Sequence, residues 1–123
     1  MAKGRILVID DEDIVRISCK RTLTPEGYEV DVAASGMEGL ELFGRGKYDL
    51  VIIDLKMPGI DGMEVLKNIK KDHPAQNVIV MTGYNAPDNI TSLSFEGSEF
   101  LEKPFTPDTL LEKTNNILRK QTI

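Results

Sequence analysis

Three short aliphatic runs punctuate the chain without a polar interruption: Ile6-Leu7-Val8-Ile9, Leu50-Val51-Ile52-Ile53 and Val78-Ile79-Val80-Met81. Such unbroken runs predict strands covered on both faces, as in a parallel sheet. Tyr28 to Ala33 alternates more and is expected nearer a sheet edge, while Glu99-Phe100-Leu101 is a short, weakly signalled fifth strand. Between the strands the spacing becomes helical. Val15, Ser18, Cys19, Thr22 and Leu23 follow a helical period that Pro25 and Gly27 close. Ser35-Gly36-Met37-Glu38 reads as a capping box opening a helix that carries Leu40 and Phe43. Gly62 to Lys71 puts Val65, Leu66 and Ile69 on one face, and Pro107 to Lys120 does the same with Leu110, Leu111, Thr114, Ile117 and Leu118. Asp88 to Glu96 holds Ile90, Leu93 and Phe95 among serines and threonines and is the weakest helical segment. Strand and helix in alternation imply an α/β fold, a doubly wound parallel sheet with helices on both faces.

With 123 residues the chain is read as a single domain, 1–123, long enough to bury a core without metal or disulfide staples. Fifteen basic against twenty acidic residues leave a charge of −5, which argues against direct nucleic-acid binding by this domain. Runs of four apolar residues fall far short of the ~20 that span a bilayer, so no membrane segment is expected. The N-terminus does not resemble a signal peptide. One cysteine, Cys19, and one histidine, His73, exclude an internal disulfide and a zinc site built on several nitrogen or sulfur ligands. A lone cysteine fits a reducing, cytoplasmic setting. Any metal here must be a hard cation on oxygens.

Ligands in open α/β sheets bind outside the carboxyl ends of the strands. Each apolar run leads straight into a polar residue there: Ile9 into Asp10-Asp11, Ile53 into Asp54, Met81 into Thr82, and the fifth strand into Glu102-Lys103-Pro104. Parallel strands end on one edge, so Asp10, Asp11, Asp54, Thr82 and Lys103 should converge. Three packed carboxylates repel unless a cation neutralises them, and Mg²⁺, or Mn²⁺, is the natural partner for such oxygens. An ammonium and a hydroxyl beside that metal describe a site for phosphoryl transfer onto a carboxylate.

These residues resemble the receiver domain of bacterial two-component response regulators. The resemblance runs the whole chain: Asp10-Asp11, Asp54, Met57-Pro58-Gly59, Asp61-Gly62, Thr82, Phe100 and Lys103-Pro104. It implies a flavodoxin-like sheet in the order 2-1-3-4-5 and a phosphoacceptor Asp54 charged by a sensor histidine kinase or a histidine phosphotransfer protein. It further implies Mg²⁺ held by Asp11, Asp54 and the carbonyl of Lys56, with Asp10 acting mainly through a bound water. Thr82 and Lys103 would bind phosphoryl oxygens, and Phe100 would be the switch aromatic. Lys56, Gly83 and Tyr84 occupy positions that tune how long the phosphoryl group lasts. Such a domain catalyses its own phosphorylation and dephosphorylation but is not a turnover enzyme; its output is a downstream protein or a fused output domain. The chain is either a complete regulator or a receiver cut from a longer one. Gly83 stands where the family most often has alanine, Pro87 opens the Asp88–Glu96 segment, and Ser98 replaces a common alanine.

Plainer readings compete at several positions. An acidic pair after a strand is often only charge at a helix N-terminus. Lys103-Pro104 reads either as a strand stop or as a cis bond aiming the lysine, and Lys56 and Tyr84 can be solvated loop residues. His73, before Pro74 in a polar turn, reads as a surface residue, and Cys19 as a small buried hydrophobe. Gly44-Arg45-Gly46 follows a helix and not a strand, so it is a turn. An aspartyl-phosphate hydrolase of the haloacid dehalogenase type would share the Asp, Thr, Lys and Mg²⁺. Those enzymes resemble one another in a second acid two residues after the nucleophile, where this chain has Lys56. A partner-binding pseudo-receiver usually lacks part of the acidic set or the lysine, and this chain has all of them.

Overall fold

The computed structural model describes residues 3–55, 62–82 and 98–119. Five parallel strands form one sheet: β1 (Gly4–Ile9), β2 (Tyr28–Ala33), β3 (Leu50–Asp54), β4 (Val78–Thr82) and β5 (Ser98–Glu102), in the spatial order β2-β1-β3-β4-β5. Among the described residues, four helices accompany them: α1 (Asp13–Leu23), α2 (Gly36–Arg45), α3 (Gly62–Asp72) and α4 (Pro107–Arg119). The expected α/β sheet and its 2-1-3-4-5 order are therefore observed, with β2 at an edge as its alternating pattern indicated. The Asp88–Glu96 segment lies outside the described residues.

Alternate residues of a strand point to opposite faces, and β1 shows why both faces fill. Ile6 and Val8 pack with Cys19 and Leu23 of α1 and with Leu110 and Ile117 of α4. Leu7 and Ile9 pack the other way, with Val65, Leu66 and Ile69 of α3 and with Leu40 and Phe43 of α2. Cys19 is fully buried, and burial pushes its thiol up to about 12, in keeping with a small core hydrophobe.

Local signals explain where the elements stop. The Ser35 hydroxyl accepts the Glu38 N–H at 3.2 Å, half of the expected capping box, while the Glu38 carboxylate accepts the N–H of Ala34, one residue before the N-cap, at 2.8 Å. After α1 a short 3₁₀ turn, Thr24–Glu26, ends at Gly27, whose φ of 102° is left-handed and suits glycine. The Lys103–Pro104 peptide is cis.

Candidate functional site

Register brings the strand ends together. Ile9 pairs with Ile53 and Asp54 with Met81, so the residues just beyond β1, β3 and β4 share one edge. The backbone N–H of Lys103 donates to the Thr82 carbonyl at 2.7 Å, tying the ends of β4 and β5. On that edge the Lys103 ammonium lies 2.8 Å from Asp10 Oδ2, 3.1 Å from Glu12 Oε1 and 3.2 Å from Asp54 Oδ2. Asp10 and Asp54 are buried, whereas Asp11 and Glu12 are exposed.

The backbone at this edge is held from several directions. Asp10 Oδ1 accepts the Glu12 N–H at 2.9 Å, and the Asp10 N–H donates to Ala33 O at 3.1 Å. Arg16, one turn into α1, donates to the Asp10 carbonyl at 2.7 Å and pairs with Asp13. Beneath Asp54 the chain crosses itself closely. A Cβ at Gly62 would lie 2.1 Å from the Asp54 carbonyl oxygen and 2.5 Å from Leu55 Cα, so only glycine lets α3 begin there.

Charge is unevenly met. Burial raises the Asp10 carboxyl above the ordinary aspartate range; Lys103 and the Glu12 N–H pull it back, and the Asp54 charge adds to the rise. For Lys103, burial alone would favour the neutral amine, but pairing with Asp10, Asp54 and Glu12 overrides it and holds the ammonium above the usual lysine value. Asp10, Asp11, Glu12 and Asp54 each offer a carboxylate oxygen, all within 4.8 Å of one another. Clustered hard oxygen donors suit a divalent cation such as Mg²⁺, which takes one or two carboxylates and retains water. Asp10, Asp11 and Asp54 lie in that cluster as their sequence positions suggested.

Thr82 ends β4, half-buried, and Phe100 on β5 pairs with Val80 and packs, partly buried, against the α2–α3 face of the core. Lys56, Gly83 and Tyr84 lie outside the described residues. Two residues were missed from sequence, Glu12 and Arg16. The run Asp10-Asp11-Glu12 was the available signal for the first; nothing in the periodicity marks the second. An apolar groove of about 460 Å³ opens beside the cluster, lined by Glu12, Ile14, Val15, Lys103, Pro104 and Phe105. Exposed Ile14 stands at its rim. His73 sits far along the chain from this cluster, at the end of α3, edge-on to Phe43 with ring centroids 5.1 Å apart.

Comparison with known proteins decides the family, since the model of the response regulator receiver domain matches residues 6–115. The chain belongs to the receiver domains of response regulators. It is 35% identical over 121 residues to an uncharacterised transcriptional regulatory protein, YkoG, of Bacillus subtilis (strain 168), covering 98% of this chain and 53% of that protein. This receiver thus spans about half the length of the curated relatives it matches. Among solved structures, a receiver domain from Clostridium thermocellum is 37% identical with a TM-score of 0.86, covering 98% of this chain and 97% of that one. The response regulator TrrA of Thermotoga maritima, in complex with Mg²⁺-BeF, is 42% identical with a TM-score of 0.81, covering 95% and 99%. Response regulators are signalling switches of two-component systems, so the receiver assignment reached from the strand-end residues stands. No helix among the described residues is long and apolar enough to cross a membrane.

Proposed function

We propose that this receiver accepts a phosphoryl group on Asp54 and converts it into a changed surface around Thr82 and Phe100. The observation that carries the reading is the Lys103 ammonium held between two buried carboxylates, Asp10 at 2.8 Å and Asp54 at 3.2 Å, on the carboxyl edge of the sheet. In the transfer an Asp54 oxygen forms a bond to phosphorus while the bond from phosphorus to the donor's imidazole nitrogen breaks, its electron pair staying on the imidazole. Asp54 is aimed for this by its place at the end of β3, and Lys103 offers a fixed positive charge to the oxygens of the arriving group. Asp10, Asp11 and Asp54, with the Lys56 carbonyl, are the residues that would hold Mg²⁺. When bound, that ion would offset negative charge on the transferring group. Support comes from TrrA, whose structure contains Mg²⁺ together with BeF, a phosphoryl mimic.

Phosphorylation adds charge and strong acceptor oxygens at Asp54. Lys103 meets the charge, and the Thr82 hydroxyl donates to an oxygen by moving inward, vacating space beside Phe100. Coupling of this kind is worth about 1–3 kcal/mol. The donor is a sensor histidine kinase or histidine phosphotransfer protein, which would present its phosphohistidine over the groove beside Lys103. The receiver in turn controls a downstream protein or a fused output domain. Lys56, Gly83 and Tyr84 tune the lifetime of the phosphorylated form.

Acetyl phosphate with Mg²⁺ is expected to add one hydroxylamine-labile phosphoryl group, read by intact mass, and EDTA to prevent the gain. Asp54→Ala abolishes it. Persistence of the modification in Asp54→Ala would remove this reading.

A further inference from the structure

The Lys103 ammonium donates to Glu12 Oε1 at 3.1 Å and to Asp54 Oδ2 at 3.2 Å, and lies 2.8 Å from Asp10 Oδ2 as a charge pair without hydrogen-bond geometry. These partners differ in freedom. Asp10 and Asp54 are buried, and Asp10 is fixed further through its Oδ1, which accepts the Glu12 N–H. The Glu12 side chain is 56% exposed and can swing into water. Glu12 is also the N-cap of α1, yet its carboxylate makes no capping hydrogen bond. Acidic side chains at a helix N-terminus ordinarily serve the free N–H groups or the dipole there. This one reaches across to the end of β5 instead.

Resting on the reading of Asp54 as phosphoacceptor, we propose that Glu12 is a positioning residue that holds Lys103 in the unphosphorylated receiver and competes for it with the incoming phosphoryl group. A phosphoryl oxygen on Asp54 draws the ammonium toward itself. Glu12 is the partner that can let go, because releasing Asp10 would leave a buried carboxylate uncompensated. Until it swings away, Glu12 both retains the lysine and sets a negative charge beside the site that an anionic donor must approach. Glu12 therefore slows phosphorylation.

Glu12→Gln and Glu12→Asp separate the two effects, since aspartate keeps the charge but is one methylene too short to reach Lys103. Both variants, saturated with Mg²⁺, should take phosphoryl from acetyl phosphate about two- to fivefold faster than wild type, the scale of a partly exposed ion pair. In the metal-free, unphosphorylated protein the Lys103 Hε–Cε NMR signal should shift in both. Mn²⁺ binding followed by electron paramagnetic resonance should not weaken in Glu12→Asp, which keeps the charge. An unmoved Lys103 signal, a Glu12→Asp rate equal to wild type, or weakened Mn²⁺ binding in Glu12→Asp would each overturn the proposal, the last by making Glu12 a member of the metal site. Wild type that takes no phosphoryl group at all would instead defeat the reading of Asp54. The metal-free NMR comparison tests the Glu12–Lys103 contact apart from that reading.

Discussion

Among the described residues, the two ends of the sheet settle their charged groups in opposite ways. Toward the amino end and the β2 edge, charge is matched. Arg5 donates to Asp31 at 3.1 Å, lies 5.0 Å from the centroid of the Tyr48 ring and approaches Glu29, while the Tyr48 hydroxyl donates to Asp31 at 2.7 Å. The Lys70 ammonium is likewise spent on the carbonyls of Gln76 at 2.6 Å and Pro74 at 3.4 Å. At the carboxyl end four carboxylates cluster and Lys103 is the ammonium set among them. One end is a finished polar network; among the described residues, the other stays electrostatically short of positive charge. The shortfall is a cost in the resting protein and the source of affinity for a cation.

The steepest test of the difference uses glycine. Gly62→Ala drives a methyl group into the backbone of Asp54 and Leu55, which cannot yield as a side chain would. A loss of about 1–3 kcal/mol is expected in urea unfolding, together with slower phosphorylation because Asp54 is displaced. Gly46→Ala toward the other end meets the guanidinium of Arg5 at 3.3 Å, a flexible neighbour, and should stay within ~0.5 kcal/mol of wild type. Equal losses in the two variants would end the distinction.

Next in size come two isosteric substitutions with opposite expected signs. Asp54→Asn relieves repulsion among the clustered acids and should stabilise the metal-free protein by ~1 kcal/mol, a gain that shrinks as Mg²⁺ is added. Asp31→Asn weakens the bonds from Arg5 and Tyr48; with the Asp31 side chain 43% exposed, the loss should be ~1 kcal/mol. Destabilisation by both in EDTA would show that the carboxyl end is as well neutralised as the amino end.

The last contrast is in the alkaline limb. Burial first, and then donation to Asp31, pushes the Tyr48 phenol from 10.0 up to about 12. An unfolded chain gives up that proton earlier, so stability falls as pH rises from 10 toward 12. Tyr48→Phe should flatten the fall over that window. Cys19 and Lys103, both also raised, act with the same sign and leave a residual slope, so a slope unchanged by Tyr48→Phe would remove the phenol's part in it.

How much of this was legible in the sequence follows from what kind of signal each part leaves. β1, β3 and β4 were visible because strands buried on both faces demand unbroken aliphatic residues, and the Ser35 cap of α2 is local by nature. The meeting of Asp10, Asp54 and Lys103 was inferable from topology, since parallel strands finish on one edge. Glu12 and Arg16 act through long side chains whose reach leaves no period. The need for glycine at position 62 arises where the start of α3 crosses the end of β3, a juxtaposition that exists only in the fold. Arg5, Asp31 and Tyr48 come from three separate segments with no shared pattern. Lys56, Gly83 and Tyr84 lie outside the described residues, and their assigned roles come from the resemblance; the Asp88–Glu96 segment, read from its apolar spacing, lies outside them too.

The most direct test of the account is the location of the covalent bond. Borohydride reduction turns an aspartyl phosphate into homoserine, leaving a mark that peptide mass spectrometry can place. After acetyl phosphate and Mg²⁺, homoserine is expected at position 54 alone, and nowhere when EDTA is present. Homoserine at position 10 or 11, or a borohydride-resistant phosphate on a serine or threonine, would contradict it.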